Sequence, residues 1–91
     1  MYKLRYSSKF RKDIRKKARD FKFPLTELKN ITQDIADKKE LDIKYRNHKL
    51  SGDYVGCLEF HLRSDILIIY RIDKIKNIVY LIRIGSHSEL F

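Results

Sequence analysis

LEFHLRSDILIIYRIDKIKNIVYLIRIG, residues 58–85, decides the fold. Ile66-Leu67-Ile68-Ile69-Tyr70 is an apolar run of β-forming residues, as expected of a central strand. Before it, Tyr54, Leu58, Phe60 and Leu62 alternate with Asp53, Glu59, His61 and Arg63, which predicts a strand with one buried and one wetter face, His61 on the wetter one. After it, Asp73 to Asn77 turns the chain. Ile78, Tyr80, Ile82 and Ile84 then line one face of a last strand, Arg83 points to the other, and Gly85 ends the strand. Three strands joined by short turns make an antiparallel meander whose apolar face needs a cover.

The first half supplies that cover. Tyr2-Lys3-Leu4-Arg5-Tyr6 alternates as a short strand, and Ser7 or Ser8 can cap the helix that follows. Phe10, Ile14 and Ala18 recur every four residues and form its apolar stripe. Pro24 suits the first turn of a second helix. Leu25, Leu28, Ile31 and Ile35 are that helix's buried stripe, and Asp37-Lys38-Lys39-Glu40 marks its end. Ser86 or Ser88 can cap a terminal turn ending at Leu90-Phe91. The expected fold is α+β: a β-α-α-β-β-β domain over residues 1–91, its antiparallel sheet covered by a helical hairpin, with a short C-terminal turn.

Composition narrows the function classes. Apolar residues make up 43% of the 91, enough for a packed interior. No apolar run approaches the ~20 residues needed to span a bilayer, and the N-terminus lacks a secretory apolar segment, so the expected location is cytoplasmic. Cys57 stands alone, excluding an internal disulfide, and reads as a small core residue. The net charge is +9. Residues 1–49 carry 16 Lys/Arg against 7 Asp/Glu, and residues 50–91 carry 5 against 5, so the excess is wholly N-terminal. Lys9, Arg11, Lys12, Arg15 and Lys16 on the first helix are the candidate contacts to a polyanion, with RNA foremost; an acidic protein would satisfy the same charge.

All three histidines, His48, His61 and His87, lie in the other half, at turns or strand ends, in company with Asp65 and Arg83. RNA can be cut without a metal. A base takes the 2′-hydroxyl proton, an acid protonates the leaving 5′-oxygen, and a cation stabilises the phosphorane. Histidine can serve both proton transfers near neutral pH, and arginine grips phosphate bidentately. Asp65 could orient a histidine, take a proton itself, or pair with Arg83. Zinc is a competing use of the histidines and Asp65, but spacings of 13 and 26 residues match no compact ligand motif. No metal or cofactor is therefore assigned.

His48-x-Leu50-x-Gly52-x-x-x-Gly56-x-x-x-x-His61-x-x-x-Asp65, followed by Leu67, Tyr70 and Arg83-x-Gly85-x-His87-x-x-Leu90-Phe91, resembles the YafQ-like branch of the RelE/ParE toxin superfamily. The match runs from about Asp42 to Phe91; residues 1–41 agree in element order and basic character. The resemblance implies a small bacterial toxin of a type II toxin–antitoxin system, monomeric alone and in a higher-order complex with its antitoxin. It implies a metal-independent endoribonuclease, an mRNA interferase, cleaving mRNA on the ribosome. Carried over by position, Arg83 would bind the scissile phosphate and His87 would act as acid. His48 or His61, supported by Asp65, would be the base, and Phe91 would stack on the nucleotide. Ile66 departs from relatives that carry an aromatic residue after the aspartate. Two other classes stay in competition: a gyrase-inhibiting toxin on the same fold, and a non-catalytic RNA- or ribosome-binding module.

Overall fold

The computed structural model describes residues 1–91. Five strands form one sheet: β1 (Lys3–Tyr6), β2 (His48–Lys49), β3 (Leu58–Arg63), β4 (Ile66–Asp73) and β5 (Ile78–Gly85), in the order β1-β5-β4-β3-β2. Helices α1 (Ser8–Lys17) and α2 (Leu25–Ala36) follow β1, and α3 (His87–Leu90) follows β5. The β3-β4-β5 meander is antiparallel, as expected, but the sheet is mixed because β1 pairs parallel with β5. After the two helices the chain re-enters the sheet at the far edge, β2, and works back through β3 and β4 to β5, which lies beside β1 in the same direction, a pairing no hairpin could make.

The first five residues of β4, Ile66 to Tyr70, are apolar because both faces of the strand are covered there. Ile68 and Tyr70 join Phe10 of α1, Leu28, Ile31 and Ile35 of α2, Phe60 and Leu62 of β3, and Val79, Leu81 and Ile84 of β5 in the main core. Leu67 and Ile69 face the other way, into a smaller cluster with Cys57 and Leu90, against which Leu50, Tyr54 and Ile82 pack. Burying one such side chain contributes roughly 1.5–3 kcal/mol, so the small cluster is a substantial support for whatever lies on that face.

Several local expectations change. Tyr54 and Asp53 belong to a one-turn 3-10 segment, Gly52–Tyr54, and not to β3; Gly52 and Gly56 adopt left-handed φ of 66° and 89°, which breaks the strand before Cys57. His48 opens the two-residue strand β2. On β5 the core residues are Val79, Leu81 and Ile84, not an unbroken even-numbered row. An irregularity opposite Ile69/Tyr70 shifts the register, so Ile69 pairs Arg83 while Tyr70 pairs Leu81, and the inward phase moves by one residue. Ala18 is the exposed cap of α1, so its apolar stripe ends at Ile14.

Ser7 caps α1, its hydroxyl accepting from the Phe10 amide at 2.9 Å. Helix α3 begins at Ser86 with a reciprocal capping box to Glu89. Gly85 is needed for closeness: a Cβ there would lie 3.0 Å from Leu90. No helix is long and apolar enough to cross a membrane.

Candidate functional site

His48 and Glu59 are direct partners across β2 and β3, and His61 lies two residues beyond Glu59 on the same face. Pairing and pleat therefore bring all three together. Glu59 Oε1 is 3.4 Å from His48 Nε2 and 3.2 Å from His61 Nε2, with the rings 5.9 Å apart. Glu59 is 4% exposed, although its place in the alternation put it on the wetter face. Both imidazoles and the strand pairing cover it. Its Oε2 is buried with no hydrogen-bond partner.

Three contacts fix His48. Its Nδ1 is 2.6 Å from the Arg46 carbonyl, which can only accept, so that nitrogen carries a hydrogen and Nε2 is left facing Glu59. Arg46 holds its carbonyl there by adopting a left-handed φ of 51°. Buried Tyr70 donates its hydroxyl to Asn47 Oδ1 at 2.6 Å, and the Leu50 amide donates to the Cys57 carbonyl at 2.9 Å. Burial raises the Tyr70 phenol above its usual range, so it stays a donor.

Register carries the site across the sheet. His48 pairs Glu59, Glu59 pairs Ile69, and Ile69 pairs Arg83, one row over four strands. At about 4.8 Å per strand, Arg83 starts about 10 Å from Glu59. Beyond Leu81, β1 no longer covers the outer edge of β5, and α1 takes its place. The Ser7 hydroxyl donates to the Ile82 carbonyl at 2.7 Å, and Asp13 Oδ2 accepts from the Ile84 amide at 2.9 Å. Asp13 also binds Arg83 side-on, with Nε to Oδ2 at 2.8 Å and Nη2 to Oδ1 at 3.2 Å. This pairing raises the Arg83 pKa further and leaves Nη1 outside the Asp13 contact.

His87 opens α3 directly after the Ser86 cap, and its ring lies 5.0 Å from Phe91. Phe91, 53% exposed, also meets the Tyr54 ring edge-on at 5.5 Å. Tyr54 is beside Arg83 as well. Glu89 anchors this turn. It accepts from the Ser86 amide at 2.7 Å and from Lys17 Nζ of α1 at 2.9 Å, which hold its carboxyl down at about 2.

Two groups thus share the site face: His48 and His61 around Glu59, and Arg83, His87 and Phe91 around Tyr54. Asp65 joins neither. It is exposed at the β3–β4 turn, makes no ion pair with a histidine or with Arg83, and lines a separate polar cavity with Lys16. Lys9, Arg11, Lys12 and Arg15 are exposed along α1. Glu59, Asp13 and Tyr54 are the residues the sequence reading missed. The one available signal was Glu59's position between two histidines, two residues before His61. Burial pushes the Cys57 thiol upward, consistent with a core residue and not a nucleophile. The donor atoms of His48, Glu59 and His61 lie within 4.8 Å of one another. Two imidazole nitrogens and a carboxylate suit a zinc- or copper-like ion, and neither Asp65 nor His87 belongs to that set.

The family model for the "bacterial toxin of type II toxin-antitoxin system, YafQ" matches residues 2–91. Among solved structures, the chain is similar to a metal-bound toxin from Helicobacter pylori (37% identity, all of both chains covered, TM-score 0.93). It is similar to a copper-bound mutant toxin from the same organism (31% identity, all of both chains covered, TM-score 0.90). It also matches a chain of the Escherichia coli DinJ–YafQ complex (25% identity, 100% of this chain and 99% of that one covered, TM-score 0.84). No curated protein sequence matches it.

Proposed function

The chain belongs to the YafQ family of bacterial type II toxins, and from that premise we propose that it is an endoribonuclease that cuts mRNA on the ribosome without a metal. One observation carries the reading: a His48–Glu59–His61 cluster stands across the sheet from Arg83 and His87, two strand spacings away. The first group can remove a proton and the second can bind a phosphate and return one.

Arg83 binds the scissile phosphate through the guanidinium edge that Asp13 leaves free. His48 or His61 takes the 2′-hydroxyl proton as that oxygen attacks phosphorus. His87 protonates the departing 5′-oxygen, giving a 2′,3′-cyclic phosphate and a 5′-hydroxyl end. The support expected of Asp65 falls to Glu59, whose Oε1 touches both imidazoles and favours whichever ring has gained the proton. Phe91, splayed between His87 and Tyr54, offers its exposed face to a nucleobase.

One solved relative is a toxin in complex with DinJ. By analogy, this +9 chain would be neutralised by a small antitoxin with an acidic or mixed-charge segment. The deciding experiment is primer extension on mRNA after brief induction of wild type, His87→Ala and Arg83→Ala. New 5′ ends in the wild type alone support the proposal. Growth arrest without new ends rejects it, and equal cleavage in all three rejects the residue assignment.

A further inference from the structure

Two polar cavities adjoin the site and meet at one side chain. The first, about 490 Å3, opens beside His61 and includes Lys44, Arg46 and Arg63 in its wall. The second, about 580 Å3, includes Lys16, Lys17 and Lys22. Arg63 lines both, so the two cavities follow one another as a trench divided at that side chain, across the end of the sheet from the segment before β2, past the β3–β4 turn, to α1.

We propose that this trench carries the RNA strand beyond the cleaved bond, its ligand being the phosphodiester backbone of the flanking nucleotides. The proposal deepens the nuclease reading and rests on it. Six cations meet four carboxylates in the trench: Glu27, Asp20, Asp65 and Glu89. Of the cations, Lys17 is committed to Glu89 and Arg63 to Glu27. Lys16, Lys22, Lys44 and Arg46 make no ion pair and are exposed.

Arg63 is the central group because it is held ready. Its Nη1 is 3.0 Å from Glu27 Oε1 and donates to the Leu62 carbonyl at 2.7 Å. Glu27 is itself fixed by the Tyr45 hydroxyl, which donates to Oε2 at 2.7 Å and keeps the carboxyl below its usual range. Both Arg63 bonds use Nη1. Nε and Nη2, the fork that grips a phosphate bidentately, have no protein partner. Arg46 ties the trench to the chemistry, since its carbonyl is the group that orients His48.

The lining favours nucleic acid over an antitoxin helix. Each cavity has only two apolar residues, whereas a docked helix needs a row of apolar pockets. A phosphate backbone needs cations and donors. Apolar grooves lie elsewhere, one of them between α1 and α2 along Phe10, Ile14, Leu25 and Leu28.

The test uses the full chain and uncleavable 2′-O-methyl RNA, a trinucleotide and a nonamer, with binding read by fluorescence anisotropy from 50 to 200 mM salt. The double variant Lys22→Ala/Lys44→Ala removes two phosphate contacts. The salt slope for the nonamer should fall by about 1.4, and affinity in 0.1 M salt by about 25-fold, at about 0.7 in the slope per contact. The trinucleotide, too short to enter both cavities, should bind both proteins alike. Arg63→Lys, which keeps the charge and lacks the fork, should weaken the nonamer with an unchanged melting temperature. Nonamer binding that is absent in the wild type, or equal in wild type and double variant, overturns the proposal. So does a double variant that binds RNA normally but loses an acidic antitoxin peptide, which would assign the trench to the antitoxin. Trench-dependent binding by a wild type that cuts no RNA would instead sink the nuclease reading and leave the trench as an RNA surface.

Discussion

Replacing Glu59 by leucine should stabilise the protein and silence it in one step. Glu59 is 4% exposed on an inner strand, with one oxygen shared by two imidazoles and the other unpartnered. A buried polar atom without a partner costs about 1–3 kcal/mol. Leucine removes that atom and leaves no carboxylate behind, and the substitution escapes the cost of breaking a buried pair only if its partners can reach water. The histidines lose little, because His48 and His61 are 48% and 21% exposed at their side chains and can be hydrated. A net gain of about 1–2 kcal/mol follows. A chain of 91 residues at about 2.1 cal/mol/K per residue has an unfolding entropy near 0.19 kcal/mol/K, so Tm should rise by roughly 5–10 °C. Cleavage should fall at least about 100-fold, the lower bound for a positioned acid–base group. Glu59→Gln separates shape from charge: it should lose activity without the gain in Tm, since its amide adds a buried donor. The assays are thermal melts at pH 7.5 and single-turnover RNA cleavage on the same preparations. A leucine variant that melts below the wild type and still cuts RNA would refute the reasoning, because Glu59 would then be a structural carboxylate with no part in the chemistry.

Three further outcomes are expected. Tyr70→Phe removes the hydroxyl that holds Asn47; it should cost about 1 kcal/mol, or about 5 °C in Tm by melting, and lower kcat more than it raises KM because His48 loses its anchor. Glu89 has a folded pKa of about 2 against an ordinary 4.5, so its contribution is complete above 4.5 and is lost as pH falls through about 2. Amide NMR shifts of His87 to Phe91 should therefore stay native at pH 4 and collapse only near pH 2, and fraying already at pH 4 would contradict the anchor. EDTA should leave cleavage unchanged, whereas added Zn2+ should suppress it by occupying His48, Glu59 and His61; activity lost in EDTA would end the metal-independent reading.

The parts of the fold that were legible in the sequence are those set by local pattern. The run Ile66–Tyr70, the stripe Leu28–Ile31–Ile35 and the Ser7 cap each follow from short-range chemistry, and each lies where expected. The parallel partnership of β1 with β5 was not legible, because it joins residues 75 apart and depends on how α1 and α2 pack. The same limit applies to the site. His48, His61, Arg83 and His87 were nameable as chemical types. Asp13 was hidden among seven basic residues of α1 and its flank, and only its reach to Arg83 and the Ile84 amide, across some 70 positions, shows its use. Asp65 had the right chemistry and the right distance along the chain, but the β3–β4 turn aims it away from the histidines and into the trench.

Several failures of local pattern lie at the site, although Lys38 and Asn77 also adopt left-handed backbone at turns away from it. Alternation says Glu59 should be wet, yet it is buried between the histidines. Arg46 takes a left-handed backbone that costs a non-glycine residue about 1–2 kcal/mol, and the carbonyl so placed orients His48. The β5 irregularity breaks the inward phase and delivers Arg83 to Asp13 on one side and Tyr54 on the other. Helix α3 is too short to be stable alone, and the Ser86–Glu89–Lys17 contacts that secure it also set His87 and Phe91. The left-handed Arg46 and the buried Glu59 cost stability, and each holds a member of the proposed catalytic set in place. Together they amount to several kcal/mol in a domain whose total stability is of the order of 5–15 kcal/mol. The core is built by the ordinary rules, while Arg46, Glu59 and the β5 irregularity depart from them on the face where proton transfer is proposed.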